Sequence, residues 1–462
     1  MNDLIPWQSH QRGRTLEQRP VARLAARFLA GAALLPWIGA WALAQTEITL
    51  TSCQDALRVG MERSLHLEEA DKRVEEARNA ELRARAVFLP KAMLSAGFNQ
   101  KGAMLSFPKL LFSQTPKDPG FFIGYKTEWS MRLQVEQPLY TGGRDFYSYQ
   151  IAQRDLAVQQ ESLQLKRLNL QLEITRGYYG VLLAQRIVSI KEELLNSSRR
   201  HLQDVEKRLQ AGDASRFEKL RAEVQLTNQQ PELIRARNAV ELILAQLKNA
   251  LGLSQEDRLN VQGNIELAQE TVDVTAALQR ARELRPEVRM SRLAVEVAER
   301  SRKINRARFI PSLGAFFTQD FRSNSLDTLY DSMHRNWVVG ATLNFSLFEG
   351  GSAYYQAREE RLRVEQAQLR QQQTERAVQV EVIQAALELK RAQELIESQK
   401  QNVAQAEEAL RIANVSYANG VSTNLELMDT QLALDQARIN YVTAIYDYII
   451  GQANYRRAIA QS

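Results

Sequence analysis

Residue types that could perform catalysis or bind a metal are scattered through this sequence rather than grouped. No HExxH, CxxC, phosphate-binding glycine loop or dinucleotide fingerprint is present in the 462 residues. Acidic pairs such as Glu68-Glu69 are typical of a solvated helix face. The four histidines stand far apart, at His10, His66, His201 and His334. The sequence therefore predicts no enzyme, no cofactor and no metal site.

One pair of carboxylates has a spacing that groups them, Glu426 and Asp429. Residues three apart share one face of a helix, so both carboxylates point the same way if this segment is helical. Grouped carboxylates favour cations, which is the chemistry of a selective passage rather than of a catalyst. Taken alone, the pair is more simply explained as part of a solvated helix face.

The first 44 residues have the pattern of a secretory signal. Five arginines and two acidic residues precede an apolar stretch from Phe28 to Ala44, which ends in Ala42-Leu43-Ala44, a typical cleavage sequence. The alternative is a membrane anchor that is retained. Cleavage would leave 55 basic and 52 acidic residues, a net charge of +3. So small an excess predicts no nucleic-acid partner.

Cys53 is the only cysteine, so no internal disulfide can form. Leu50-Thr51-Ser52-Cys53 superficially resembles a lipoprotein cleavage sequence. Such a sequence should follow the apolar stretch directly, but polar residues intervene here. The alternative is that Cys53 is a small residue at the start of the first helix, and the sequence leaves both interpretations open.

The chain contains two copies of one large unit. Residues 85–90 (RAVFLP) recur as 306–311 (RARFIP), and residues 139–143 (LYTGG) recur as 347–351 (LFEGG). The offset changes from 221 to 208 residues because the first copy has a longer loop between its strands. A fixed internal offset of this kind indicates a structural repeat.

Each copy is predicted to contain a short helix, two strands, a very long helix, a tight turn and a return helix. Few prolines and abundant Ala, Leu, Gln, Glu and Arg favour a mainly helical fold. Pro90 and Pro311 should end the short helices, and Pro231 predicts a kink or break in the first return helix. The predicted bounds are 52–88, 92–100, 127–138, 145–210 and 215–250 in the first copy (45–251), and 273–309, 313–321, 337–347, 353–418 and 423–459 in the second (273–462). A small element, expected to include a strand, occupies 252–272.

The long helices carry an apolar heptad and the strands carry an alternating pattern. About 66 residues without proline predict a helix on the order of 100 Å long. The seven-residue spacing predicts coiled-coil packing. Its positions are Ile174, Val181, Val188, Leu195, Leu202 and Leu209, then Val382, Leu389, Ile396, Val403, Leu410 and Tyr417. The strands alternate apolar and polar residues, as at Trp129, Met131, Leu133 and Val135, and each is long enough to cross a bilayer when tilted. The alternative is a soluble four-stranded sheet.

Four strands cannot close a barrel in lipid. An open sheet would leave unpaired N–H and C=O groups, each costing several kcal/mol in the bilayer. The edges should therefore pair with other copies of the chain, and three copies would supply twelve strands. The monomer is not expected to be stable alone.

With these features the sequence resembles the TolC-like outer-membrane efflux proteins. The resemblance covers nearly all of 45–462. It rests on the two repeats, the prolines before each strand pair, the Gly-Gly pairs where a strand gives way to a long helix, and the glycines between the long and return helices. It implies a mainly α fold in which a long helical coiled-coil barrel joins a twelve-stranded trimeric barrel in the outer membrane. It also implies a homotrimer that extends into the periplasm and works with a membrane-fusion adaptor and an inner-membrane RND or ABC transporter. Small molecules or proteins would be exported; the alternative is a structural or adhesive coiled-coil protein.

The resemblance also assigns roles at the second turn. It implies that Glu426 and Asp429 form acidic rings that narrow the periplasmic entrance. Tyr417 and Glu218 match the family's tyrosine and acid that lock the closed state. The family's arginine corresponds to Ser422 here, so we expect another residue, such as Arg216, to replace it.

The two turns between long and return helices are predicted to dock the adaptor. Glycine there fits a left-handed helix cap, and Ser215 and Thr423 can cap the return helices. A plain turn would need the same residues, so docking is a further hypothesis. The residues predicted to form the docking surface are Gly212, Asp213, Ser215, Gly420, Val421, Ser422 and Thr423.

Overall fold

The computed structural model describes residues 47–101, 105–107, 121–123, 127–263 and 272–461. The predicted signal segment, 1–44, lies outside the described residues. In chain order the elements are β1 (Glu47–Leu50), α1 (Cys53–Arg63), α2 (Leu65–Arg85), β2 (Lys91–Gln100), β3 (Leu105–Phe107), β4 (Phe121–Ile123), β5 (Thr127–Tyr140), α3 (Arg144–Ala211), α4 (Arg216–Ala250), β6 (Arg258–Val261), α5 (Val274–Leu284), α6 (Pro286–Arg306), β7 (Ser312–Ser323), β8 (Arg335–Asn344), α7 (Ser352–Ala418) and α8 (Asn424–Ala458).

The short helix of each copy is two helices rather than one. The first breaks at Ser64 and the second at Arg285, both of which are extended (ψ 119° and 126°). Arg285 precedes Pro286, and a residue before proline is forced away from the helical region. We predicted a single helix in each place, and those predictions were wrong.

The four long strands form one antiparallel sheet in the order β2-β5-β7-β8. Trp129 on β5 pairs with Phe98 and Ser323, so the two repeats join along β5 and β7. The register slips between Pro138 and Tyr140, where proline lacks the N–H that the ladder needs. The last strand ends at Asn344, three residues short of the predicted 347.

Each long helix begins at a Gly-Gly pair whose second glycine, Gly143 or Gly351, has a positive φ. The helices α3 and α7 run for 68 and 67 residues, which corresponds to about 100 Å. The predicted heptad residues are buried or half-buried along both helices. The return helix α4 continues through Pro231 without ending, so of the predicted kink or break the structure excludes the break.

The helices pack as two long hairpins placed side by side. The helices α3 and α4 form one hairpin, α7 and α8 form the other, and α3 packs on α8 to join them. The short helices flank the hairpins: α2 packs on α3, and α6 lies against both α3 and α7. At mid-height β1 pairs in parallel with β6, the strand expected between the copies. None of the helices in the described ranges is long and apolar enough to cross a membrane.

Candidate functional site

The turn between α3 and α4, which we call the first tip, spans Ala211–Ser215. Gly212 takes a left-handed conformation (φ 89°), and its N–H and that of Asp213 donate to the carbonyls of Leu209 and Arg208, at 3.1 and 2.8 Å. The Ser215 hydroxyl accepts the N–H of Glu218 at 3.1 Å and caps α4. The predicted glycine cap and serine cap are therefore both confirmed.

The turn between α7 and α8, the second tip, spans Asn419–Thr423 and is built in the same way. Gly420 is left-handed (φ 71°), and Val421 N–H donates to Ser416 O at 2.9 Å. Thr423 caps α8 and forms a full capping box with Glu426, whose carboxylate accepts the Thr423 N–H at 3.0 Å. The predicted docking residues are exposed at both tips except Ser422, which is half-buried.

Glu426 and Asp429 lie in the first turns of α8, and both are exposed. The helix places them on one face, as their spacing predicts. Glu426 also holds the backbone of the second tip through its capping hydrogen bond. One carboxylate is therefore tied to the start of the helix, whereas Asp429 presents its charge one turn further along.

The residues predicted to lock the tips are only partly brought together. The guanidinium of Arg208, on α3, lies over the ring of Tyr417 at 4.9 Å from its centroid. Burial raises the pKa of Tyr417; Arg208 opposes this and the nearby Glu218 adds to it. Glu218 is therefore close enough for its charge to act on the Tyr417 hydroxyl. The side chain of Arg216 is exposed, and Arg208, which we had not predicted, supplies the cation over the ring.

A second contact that the sequence did not reveal joins α3 to the start of α8. The His201 Nε2 lies 2.7 Å from the Asn424 Oδ1, and the imidazole lies 5.8 Å from the ring of Tyr417. The two residues are 223 positions apart in the chain. No local pattern relates residues at that separation, so sequence alone offered no signal for this contact.

Cys53 begins α1, and its thiol lies 3.9 Å from the Thr175 hydroxyl on α3. Burial raises the pKa of this thiol, which disfavours the reactive thiolate. The preceding strand β1 pairs with β6, so cleavage just before Cys53 would remove an element of the fold. Cys53 is thus a small residue at the start of the first helix, as the helix-start interpretation expects. Within the described part of the chain, no group of three or more His, Cys, Asp or Glu residues is arranged to hold a metal.

The two-repeat architecture and the paired tips match a known family. Residues 61–253 and 277–461 match the sequence profile described as outer membrane efflux protein. The chain belongs to this family. The two matched segments coincide with the helix–strand–helix units on either side of the β6 region, so the family assignment spans both repeats.

Individual relatives agree with the family assignment. The alkaline protease secretion protein AprF of Pseudomonas aeruginosa is 23% identical over 332 residues, covering 70% of this chain and 68% of that protein. The outer membrane channel CmeC of Campylobacter jejuni has a TM-score of 0.77 at 17% identity, with 88% of this chain and 85% of that chain covered. The outer membrane protein VceC of Vibrio cholerae has a TM-score of 0.74 at 18% identity, covering 89% and 96%.

This protein is accordingly an outer-membrane efflux or secretion channel that extends into the periplasm. The protomer has the TolC-like fold that the sequence predicted. Family and neighbours are channel proteins rather than enzymes. The alternative of a structural or adhesive coiled coil is set aside.

Proposed function

We propose that three copies of this chain close into one duct that serves as the passive exit of a tripartite export system. The observation that carries the proposal is the pair of open sheet edges. The sheet ends at β2 on one side and at β8 on the other. Pairing β8 of one copy with β2 of the next would satisfy the backbone groups that lipid would otherwise leave unpaired. Three copies supply twelve strands.

The helices support the same closure. Because α3 and α8 are the inner members of the row, α4 and α7 form its two outer edges. Both outer helices expose large apolar side chains, which a neighbouring copy would cover. These are Phe217, Leu220, Val224, Ile234 and Leu242 on α4, and Leu362, Leu369, Val380, Ile383, Leu387, Ile412 and Val415 on α7.

Glu426 and Asp429 are proposed to form the selective narrowing at the periplasmic end. Three copies would bring six carboxylates around one axis, and such a ring concentrates cations. The exposure of both side chains at the start of α8 supports this role.

The two tips are proposed to dock a periplasmic membrane-fusion adaptor, and an inner-membrane transporter would supply the energy. Val421 supports this role because this apolar residue is 81% exposed at the turn. Between export of proteins and export of small molecules, the AprF relative favours proteins, since its name records secretion of alkaline protease. The transporter would then be of the ABC type rather than the RND type.

The duct is tested by single-channel conductance of the purified protein in a planar bilayer, with the trimer verified on a gel.

Replacing Glu426 with Gln and Asp429 with Asn removes both charges, while the amide oxygen introduced at the first position can still accept the capping hydrogen bond. We expect weaker cation selectivity in this double variant. Glu408→Gln, an exposed carboxylate on α7, is the matched control and should keep wild-type selectivity. A folded trimer without any pore would reject the duct, and unchanged selectivity would reject the acidic ring.

The exported cargo is tested in a deletion strain. If proteins are the cargo, the culture medium should lose one or more secreted proteins while sensitivity to drugs stays unchanged. Increased drug sensitivity with a normal set of secreted proteins would instead assign the protein to small-molecule efflux with an RND pump.

A further inference from the structure

Asp435 is an acidic residue that lies where α8 packs against α3. Only 7% of it is exposed, and its Oδ2 has no hydrogen-bond partner among the described residues. Its neighbour Leu434 is buried in the same contact. A buried carboxylate oxygen without a hydrogen-bond partner is energetically costly when it is ionised. The charges around Asp435 decide whether that cost is lowered or raised.

The surroundings do not neutralise Asp435. It lies on a cleft of about 310 Å³ between α3, α7 and α8. The nearest cation on its own helix, Arg438, is held by Glu193 on α3 at 3.3 Å and by Glu407 on α7 at 3.0 Å. The charged groups facing Asp435 are Arg438 from α8, Lys191, Glu193 and Arg200 from α3, and Glu407 from α7.

These contacts set the protonation of the carboxyl. Burial raises the pKa of Asp435 to about 6; Arg438 and Lys191 oppose the shift, and Glu193 adds to it. In a state where α8 has moved away from α3, water would return the pKa toward its ordinary value of 3.8. Between pH 3.8 and about 6 only the packed form holds the proton, so the advantage of the packed form declines across this interval and is lost above about 6.

We propose that Asp435 makes the packing of α8 on α3 sensitive to protons, tight when the carboxyl is neutral and looser when it is ionised. On ionisation the proton passes to water in the open cleft, and the buried carboxylate gains hydration only if the two helices separate. The contact between α3 and α8 is what joins the α3–α4 hairpin to the α7–α8 hairpin. The α7–α8 hairpin also carries the proposed ring of Glu426 and Asp429, so loosening this contact would free that hairpin to move. This last step alone rests on the proposed function.

The experiment is hydrogen exchange, read by mass spectrometry, of the full-length trimer in detergent between pH 4 and 7.5, corrected for intrinsic rates. Wild-type residues 427–442 of α8 should lose protection as the pH rises from about 4 to about 6, with little further change above that. One proton is involved, so the opening equilibrium should change by at most about tenfold per pH unit. Asp435→Asn mimics the neutral acid and should stay protected at every pH. Glu408→Gln, whose side chain is exposed on α7, should keep the wild-type profile.

A second pair of variants keeps the test decisive if Asp435→Asn does not fold. Glu193→Gln removes a charge that disfavours ionisation and should move the midpoint of the exchange profile to lower pH. Lys191→Gln should move it to higher pH. An unchanged profile in Asp435→Asn, or a wild-type profile without pH dependence, would overturn the proposal. Exchange that follows the prediction while channel conductance ignores pH would instead reject the last step, from this contact to the channel entrance.

Discussion

The two repeats have the same backbone conformation where their return helices end, but different side chains surround it. Both return helices end in the same way, with two backbone hydrogen bonds to the last turn. In the first repeat the left-handed residue is Gly252 (φ 71°), whereas in the second it is Ala460 (φ 53°), which lies 208 positions later. Only the first needs glycine, because a Cβ at 252 would overlap the Arg63 carbonyl oxygen.

Beside each of these helix ends lies the break that divides the short helix of that repeat in two. Different contacts stabilise this break in the two repeats. In the first repeat the break at Ser64 lies against an apolar core that includes Ile174 and Leu251. In the second, Arg285 is 2% exposed and its guanidinium donates to Glu287 at 2.5 Å and to Glu381 at 2.7 Å. The two repeats thus share the geometry of the backbone, but apolar contacts stabilise it in the first and ion pairs stabilise it in the second.

The ion pairs also tie the second repeat to its neighbours. Arg457 on α8 bonds to the same Glu381 and to Asn169 on α3. Burial works against the charged form of Arg285, but Glu287 and Glu381 raise its pKa above the ordinary value. The charge is therefore maintained across the working pH range.

The largest expected effect comes from breaking this network. Arg285→Ala would leave Glu287 without its main partner and Glu381 with Arg457 alone, and we expect the free energy of unfolding to fall by roughly 3 kcal/mol. Urea unfolding at a fixed protein concentration measures the loss, since trimer stability depends on concentration. The control Arg411→Ala removes an exposed pair with Glu408 and should change stability little. If both variants lose equally, the second repeat does not depend on buried ion pairs.

The next largest effect is expected at Gly252, the glycine that the backbone of the first repeat requires. Gly252→Ala would introduce left-handed strain and an overlap with backbone, and we expect a loss of about 2 kcal/mol or more. Thermal unfolding of the trimer gives the measurement. Gly212→Ala is the matched control, because its φ is also positive but its Cβ would meet nothing within 4 Å. An equal loss in both would mean that strain, and not the Arg63 carbonyl, decides the requirement.

A smaller effect separates the two tips. Thr423→Ala removes the hydroxyl side of a capping box and should cost about 1 kcal/mol, with Ser215→Ala costing somewhat less because its cap is not reciprocal. Hydrogen exchange in the first turns of α8 and α4 shows which helix start frays. Greater fraying of α4 than of α8 would contradict the difference inferred between the tips.

The smallest effect has the opposite sign. Ala460→Gly places glycine where an alanine now adopts a left-handed conformation, and we expect a gain in stability of about 1 kcal/mol or less. The thermal unfolding midpoint should rise slightly. A fall in the midpoint would show that the alanine methyl makes a packing contact that outweighs its backbone strain.

The sequence predicted the elements well wherever their signals were local. The tip glycines, the caps at Ser215 and Thr423 and the heptad along α3 and α7 were all confirmed, because turns, caps and periodicity depend on neighbouring residues. The strand bounds were predicted to within a few residues. The breaks at Ser64 and Arg285 were missed, although Pro286 was a usable signal for the second of them.

What the amino-acid sequence determined by itself is therefore the repeat, the order of its elements and the length of its helices. Tertiary structure alone decided that Arg208 lies over Tyr417, that His201 meets Asn424 and that Asp435 is buried between α3 and α8. The physical reason is range. Helix periodicity and turn chemistry act over a few residues, whereas ion pairs, ring contacts and burial depend on which distant surfaces meet, and residues more than 200 positions apart leave no periodic trace of that meeting.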